Sequence, residues 1–377
     1  MKARGMALFL LTFLTLYGAM QFYVFWKIRL AFPRQGALLV SVGAFLVLML
    51  VAPVAIVILE RRGFLWAARI AALIGHTWMA ITLWFCCLAG VTDLWNLAVR
   101  TAALRNARIG RLLLAPRQAL SLFAVVIAAA CVWGLIEAWN IRVKEITARL
   151  PRLGQGCPPI RIVQVSDLHL GLIVRESRLR RIVEIIERSK PDLLVSTGDM
   201  VDASMEQLDG CASLLGRLNP RFGKFAVLGN HDFYVGTEHS LQFHKAAGFR
   251  VLSQDSVIVD GRLRIAGVGP ERVGTGAGAE APVLPTRQGR EATILLRHQP
   301  VIEDRLRGSF DLQLSGHTHG GQVFPFGVVS WLVYGFRPGL HRLDDGTFLY
   351  VSRGTGTWGP PMRLFSPPEV ALITVRP

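Results

Sequence analysis

The sequence predicts a multi-pass α-helical membrane domain followed by an α/β layered domain. Hydrophobic residues make up 51% of the 377 residues, and the mean hydropathy is +0.39, more apolar than an ordinary soluble chain of this length. The apolar excess is concentrated in four uncharged runs before residue 137. From residue 160 onward the pattern changes to short apolar strands alternating with amphipathic helices, which is how a layered α/β domain reads.

Residues 6–26, 35–59, 70–92 and 118–136 are uncharged over 21, 25, 23 and 19 residues. Each is close to the ~20 apolar residues a helix needs to cross hydrocarbon, so the reading is four transmembrane helices in a membrane domain over 1–141. The first run exceeds the ~7 to 15 apolar residues of a signal-peptide core, and no small-x-small cleavage pattern follows it. No Asp, Glu, Lys or Arg lies within the runs, which argues against a transporter's charged pathway. Thirteen Lys and Arg against three acidic residues give this half a net +10 of the chain's +16. Nine positive charges flank the spans on one side and eight on the other, so charge asymmetry barely orients the domain, and the cytoplasmic face is the expectation for the polar half. Between the third and fourth runs, 94–117 carries five arginines among Leu and Ala, and reads either as an interfacial basic helix or as a solvated loop.

Residues 142–159 end in Gly154-Gln155-Gly156-Cys157-Pro158-Pro159 and read as a linker. Strands are expected at 160–165, 193–196, 225–228, 294–296, 311–314, 347–351 and 370–375, with helices at 175–190, 204–218 and 238–247 and a hairpin over 257–265 turning at Asp260-Gly261. The Gly-, Ala- and Pro-rich stretch 267–290 reads as a surface loop or lid. The five cysteines show neither a disulfide framework nor a CxxC zinc pattern; Cys86, Cys87 and Cys131 lie in apolar runs.

Potential metal ligands recur where the apolar strands stop. The first strand ends at Ser166-Asp167-Leu168-His169, the second at Thr197-Gly198-Asp199, and the third at Gly229-Asn230-His231-Asp232. Two later strands end at His298 and at Gly316-His317-Thr318-His319. Open α/β sheets bind ligands at the carboxyl ends of their strands, so five such clusters can converge on one crevice. Taken singly, each residue also reads as a helix cap, a turn residue or a satisfied core histidine.

The ordered set Asp167-Leu168-His169, Gly198-Asp199, Gly229-Asn230-His231-Asp232, His298 and Gly316-His317-Thr318-His319 resembles the calcineurin-like metallophosphoesterase superfamily over residues 160–377. Within it the chain is similar to the membrane-linked branch typified by the YkuE and YaeI type phosphodiesterases, through Gly229 to Tyr234, Gly316 to Gln322 and Tyr350 to Arg363. The resemblance implies a four-layer α-β-β-α sandwich holding two divalent metal ions, Mn foremost, with Fe or Zn as alternatives. It places Asp167, His169, Asp199 and His319 on one ion, and Asp199, Asn230, His298 and His317 on the other. A mixed carboxylate, amide and imidazole set suits those metals better than calcium. The resemblance also makes His231 the group facing the leaving oxygen. Asp202 either orients that ring or caps a helix, and Arg353 and Arg363 are candidates for pairing with substrate phosphate.

The expected activity is metal-dependent hydrolysis of a phosphodiester or pyrophosphate, with a membrane (glyco)phospholipid such as a UDP-diacylglucosamine-like molecule as the leading substrate, by analogy with the superfamily. A soluble cyclic nucleotide or phosphoprotein, or a non-catalytic scaffold role, are the alternatives. The expected surroundings are a lipid bilayer and a phosphorylated lipid, with no nucleic acid and no obligate protein partner, since the excess charge is juxtamembrane.

Overall fold

Four long helices open the chain: α1 (Lys2–Ala31), α2 (Gly36–Arg61), α3 (Leu65–Ala103) and α4 (Pro116–Trp139). The computed structural model describes residues 2–203, 208, 210–269 and 291–377. Among these, α2, α3 and α4 are long and apolar enough to cross a membrane. The expected first span, 6–26, lies within α1. α3 runs past the expected end of its span, and Asp93 there meets Lys27 and the Tyr23 hydroxyl of α1. The basic stretch 94–117 is neither one interfacial helix nor a free loop: its first ten residues extend α3, and a 3-10 turn at Ala107–Leu112 follows. The Asn96 side chain pins the return, pairing with both the N–H and the C=O of Leu114.

The chain divides into two compact units, residues 1–133 with 359–361 and residues 134–358 with 362–377. In the second unit the strands are β1 (Arg142–Arg149), β2 (Ile160–Val165), β3 (Leu193–Ser196), β4 (Lys224–Ala226), β5 (Arg250–Val251), β6 (Asp255–Val259), β7 (Leu263–Val268), β8 (Ala292–Arg297), β9 (Leu312–Ser315), β10 (Gly339–Arg342), β11 (Phe348–Val351) and β12 (Glu369–Arg376). Its helices are α5 (Glu176–Arg188), α6 (Cys211–Gly216), α7 (Asn230–Val235), α8 (Thr237–Ala246) and α9 (Phe326–Tyr334). They form two six-stranded sheets, ordered β1-β12-β2-β3-β4-β5 and β10-β11-β9-β8-β7-β6. The expected linker over 142–159 is thus corrected at its start. β1 pairs in parallel with β12 along its whole length, as an edge strand whose Arg, Lys and Glu side chains face solvent.

The period of two in the strands builds the layers. In β2, Ile160 and Ile162 enter the core between the two sheets while Val163 and Val165 face the helices; in β3, Leu193 and Val195 go inward and Leu194 outward. α5 and α8 cover the outer face of the first sheet, with Leu179, Ile182, Ile186 and Phe243 packed there. The second sheet contributes Ile265, Ile294, Leu296, Leu312 and Leu314 to the shared core, and Leu306 and Phe310 cover its other face. Both sheets have parallel central strands, β2-β3-β4 and β7-β8-β9, so each presents several carboxyl ends on one edge. The helix expected over 204–218 is described only as α6, because 204–207 and 209 lie outside the described residues, as do 270–290 of the expected loop or lid.

Candidate metal centre

Five loops leave the carboxyl ends of β2, β3, β4, β8 and β9 and turn abruptly. Asp167, His169, Asp199, His317 and His319 all adopt positive φ, at 53°, 49°, 52°, 69° and 50°. Each such non-glycine residue costs about 1–3 kcal/mol, strain that clusters where side-chain direction matters more than backbone comfort. Close packing of the loops also dictates glycine. A Cβ on Gly229 would collide with the Asp199 carboxylate, and one on Gly316 with Ser166 and the Asp167 carboxylate.

The loops bring together every histidine, aspartate and asparagine that the sequence singled out. One group is Asp167, His169 and His319, with the two Nε2 atoms 3.0 Å apart. A second is Asp199, His298 and His317, where His298 Nε2 lies 3.1 Å from Asp199 Oδ2, 3.1 Å from Asn230 Oδ1 and 3.1 Å from His317 Nδ1. Asp199 Oδ2 is also 3.9 Å from His169 Nε2, so a single carboxylate oxygen faces both groups. Its partner Oδ1 accepts the His231 backbone N–H at 2.7 Å, which fixes the carboxylate plane.

The outer nitrogens of three imidazoles meet acceptors. His169 Nδ1–H donates to Asp202 at 2.9 Å, His298 Nδ1–H to the Thr197 carbonyl at 2.8 Å, and His317 Nε2–H to the Tyr334 hydroxyl at 2.7 Å. That leaves the opposite lone pair of each ring aimed at the crevice, the arrangement that metal-binding histidines require. His319 differs, because the Arg363 guanidinium donates toward its Nδ1 at 3.3 Å.

The charges tell the same story. Burial alone lowers the His169 pKa, but Asp202, Asp199 and Asp167 push it up to about 9, and Asp199 and Asp167 do the same for buried His298. His317 is pushed down to about 3 by burial and by His298, and His319 well down by burial, His169 and Arg363. Burial opposes ionisation of Asp199, yet His298 and His169 hold it far below the carboxylate range, while burial pushes Asp167 upward. The carboxylates thus favour positive charge at His169 and His298. Divalent ions at the two groups supply such charge and use the ring lone pairs, so the donor set fits the metals.

A third arrangement sits at the crevice mouth. Asp202 Oδ1 accepts from His169 Nδ1 at 2.9 Å and from His231 Nδ1 at 3.0 Å, so it ties the two rings together. The His231 ring lies edge-on to Tyr234 and Trp358, with centroids 5.2 and 5.1 Å away.

The calcineurin-like phosphoesterase family model matches residues 160–321. An uncharacterized metallophosphoesterase from Aquifex aeolicus is 45% identical over 222 residues, covering 58% of this chain and 85% of that protein. The chain belongs to the calcineurin-like phosphoesterase family. A second relative of this metallophosphoesterase, YkuE from Bacillus subtilis, is 34% identical and is covered over 80% of its length. A third, a zebrafish (Danio rerio) transmembrane protein with metallophosphoesterase domain, is 33% identical over 58% of this chain and 53% of its own length. The chain thus spans about half of that longer relative.

The two arginines expected at substrate do not share one environment. Arg363 is fully buried, and its guanidinium donates to the carbonyls of Gly356, Arg353 and Ser366 as well as toward His319. It is a strut beneath the His319 loop with no surface to offer a phosphate, which corrects the expectation. Arg353 pairs with buried Glu369 at 2.8 Å and keeps 30% of its side chain exposed.

The metallophosphoesterase also uses residues the sequence reading passed over. Asp232 is fully buried and accepts from the N–H groups of Asp199 and Gly229 at 2.9 and 2.7 Å and from the Ser240 hydroxyl at 2.7 Å, locking two ligand loops together. Its place in the Gly-Asn-His-Asp run was the available signal. Tyr334 had none, because it reaches His317 from a separate helix.

Proposed function

We propose that this metallophosphoesterase is a membrane-anchored enzyme that uses two divalent metal ions, Mn foremost, to hydrolyse a phosphodiester or pyrophosphate bond of a membrane (glyco)phospholipid. The observation that carries the reading is Asp199 Oδ2 facing two imidazole and carboxylate groups at once, in a chain whose described residues include three membrane-length apolar helices. Asp167, His169 and His319 would hold one ion, and Asn230, His298 and His317 the other, with Asp199 between them. When bound, such ions supply Lewis acidity to the phosphoryl oxygens and template an in-line displacement.

The side chains do the rest. Asp202 holds His231 by Nδ1, so its Nε2 can keep a proton for the leaving oxygen, while the carboxylate balances the charge of the imidazolium. The water oxygen bonds to phosphorus as the water gives up a proton to solvent, the phosphorus to leaving-oxygen bond breaks, and that oxygen takes the His231 proton, which solvent then restores. Tyr234 and Trp358 restrict the motion of the ring. Arg353 is placed to meet a non-bridging phosphate oxygen.

The test is hydrolysis by the full chain in nanodiscs with Mn. Bis(p-nitrophenyl) phosphate and a diacylglycerol p-nitrophenyl phosphodiester should both be cleaved, and Asp199→Asn and His317→Ala should cleave neither. Activity retained in both variants would overturn the metal reading, and faster use of the soluble ester at matched concentrations would favour a soluble substrate. We place the crevice on the cytoplasmic face. Half-buried Cys157 should then resist an impermeant thiol reagent in intact cells and react after lysis; labelling of intact cells reverses the placement.

A further inference from the structure

Residues Val323 to Phe336 form a run of fourteen without a single charge, and most of it lies at the surface. α9, in the middle of it, has no buried residue. Leu332 and Val333 are 70% and 68% exposed, and Val328 and Val329 are 49% and 48% exposed one turn earlier. Positions i, i+1, i+4 and i+5 share one helix face, so these four make a continuous apolar stripe. Phe324 and Phe365 extend it, their rings 6.0 Å apart and both more than half exposed. A helix this apolar is ordinarily buried.

Two features say what covers it. Nine residues are far short of the ~20 that cross a bilayer, so the helix can lie in an interface but cannot span one. At its edge the Arg337 guanidinium stacks over the Trp331 ring at 4.9 Å, joining the residue types that sit at headgroup level with the apolar body below and the charge in water. The same chain carries, among its described residues, three helices long and apolar enough to cross a membrane. The final turn of α9 carries Tyr334, whose hydroxyl meets His317, so the apolar face and the crevice share one helix.

We propose that α9, with Phe324 and Phe365, is an interfacial element that inserts into the lipid surface and sets the mouth of the metal crevice at the headgroup layer. The docking stands on the exposed apolar face. The further claim, that the phosphoester comes from a lipid headgroup and not from water, rests on the lipid reading above.

Full-length protein in phosphatidylethanolamine and phosphatidylglycerol nanodiscs, with p-benzoylphenylalanine at position 332, tests the docking. Irradiation should attach lipid to that residue, seen as a mass shift of its peptide, and should leave the same probe at position 188 on α5 free of lipid. No lipid adduct, or adducts only to a second copy or another protein, overturns the docking. The double variant Val329→Glu/Leu332→Glu then tests the consequence. Its hydrolysis of bis(p-nitrophenyl) phosphate should stay within about twofold of the parent, while that of the diacylglycerol p-nitrophenyl phosphodiester in nanodiscs should fall at least tenfold. Equal loss on both esters overturns the proposal, because it marks a structural defect. Lipid adducts at position 332 from a parent enzyme that ignores the lipid ester uphold the docking and sink the lipid reading alone.

Discussion

At the crevice, Asp167 and His298 are completely buried polar groups, while along the chain from His319, α9 leaves Leu332 and Val333 mostly in the open. Soluble domains arrange polarity the other way round, and each inversion has its own cause. The buried carboxylates and imidazoles converge in two groups of metal-ligand type, which points to ions. Leu332 and Val333 are largely exposed among the described residues, which is what the proposed lipid contact would cover. Tyr334 belongs to both regions, with its hydroxyl on His317 and its backbone in the apolar helix.

Substitutions that separate the regions sharpen this comparison. Asp199→Asn should cost the most, bringing hydrolysis of every ester to background, because one change removes the oxygen that faces both groups. His231→Ala should lower kcat by about a hundred- to ten-thousandfold with little change in KM, the usual range for losing a general acid. Tyr334→Phe keeps the apolar helix intact and removes only the acceptor for His317, so it should weaken metal affinity by about 10- to 100-fold and be rescued by excess Mn. Full activity of Tyr334→Phe at limiting Mn would break the link between the regions. Arg353→Met is the mildest, a rise in KM of roughly a few-fold, since Glu369 already neutralises the guanidinium.

The crevice was far more legible in the sequence than the apolar face, for a physical reason. Metal chemistry dictates residue types, and strand ends dictate where they fall, so Asp167, His169, Asp199, Asn230, His298, His317 and His319 stood out in one dimension. Strands 160–165 and 193–196 were equally plain, since both are mostly aliphatic. β1 was hidden because an edge strand keeps its charges in solvent and reads as a linker. The Val323 to Phe336 run was too short for a span and sat beside a motif that drew attention to itself. Arg363 was misassigned because nothing local encodes that Gly356, Arg353, Ser366 and His319 fold around it.

The central claim is that two ions share Asp199, and metal content tests it most directly. Full-length protein purified with Mn present should contain two equivalents per chain by inductively coupled plasma mass spectrometry, and Asp199→Asn should contain fewer than one while remaining folded by circular dichroism. A parent protein carrying no transition metal, or an Asp199→Asn variant retaining both, would contradict the account.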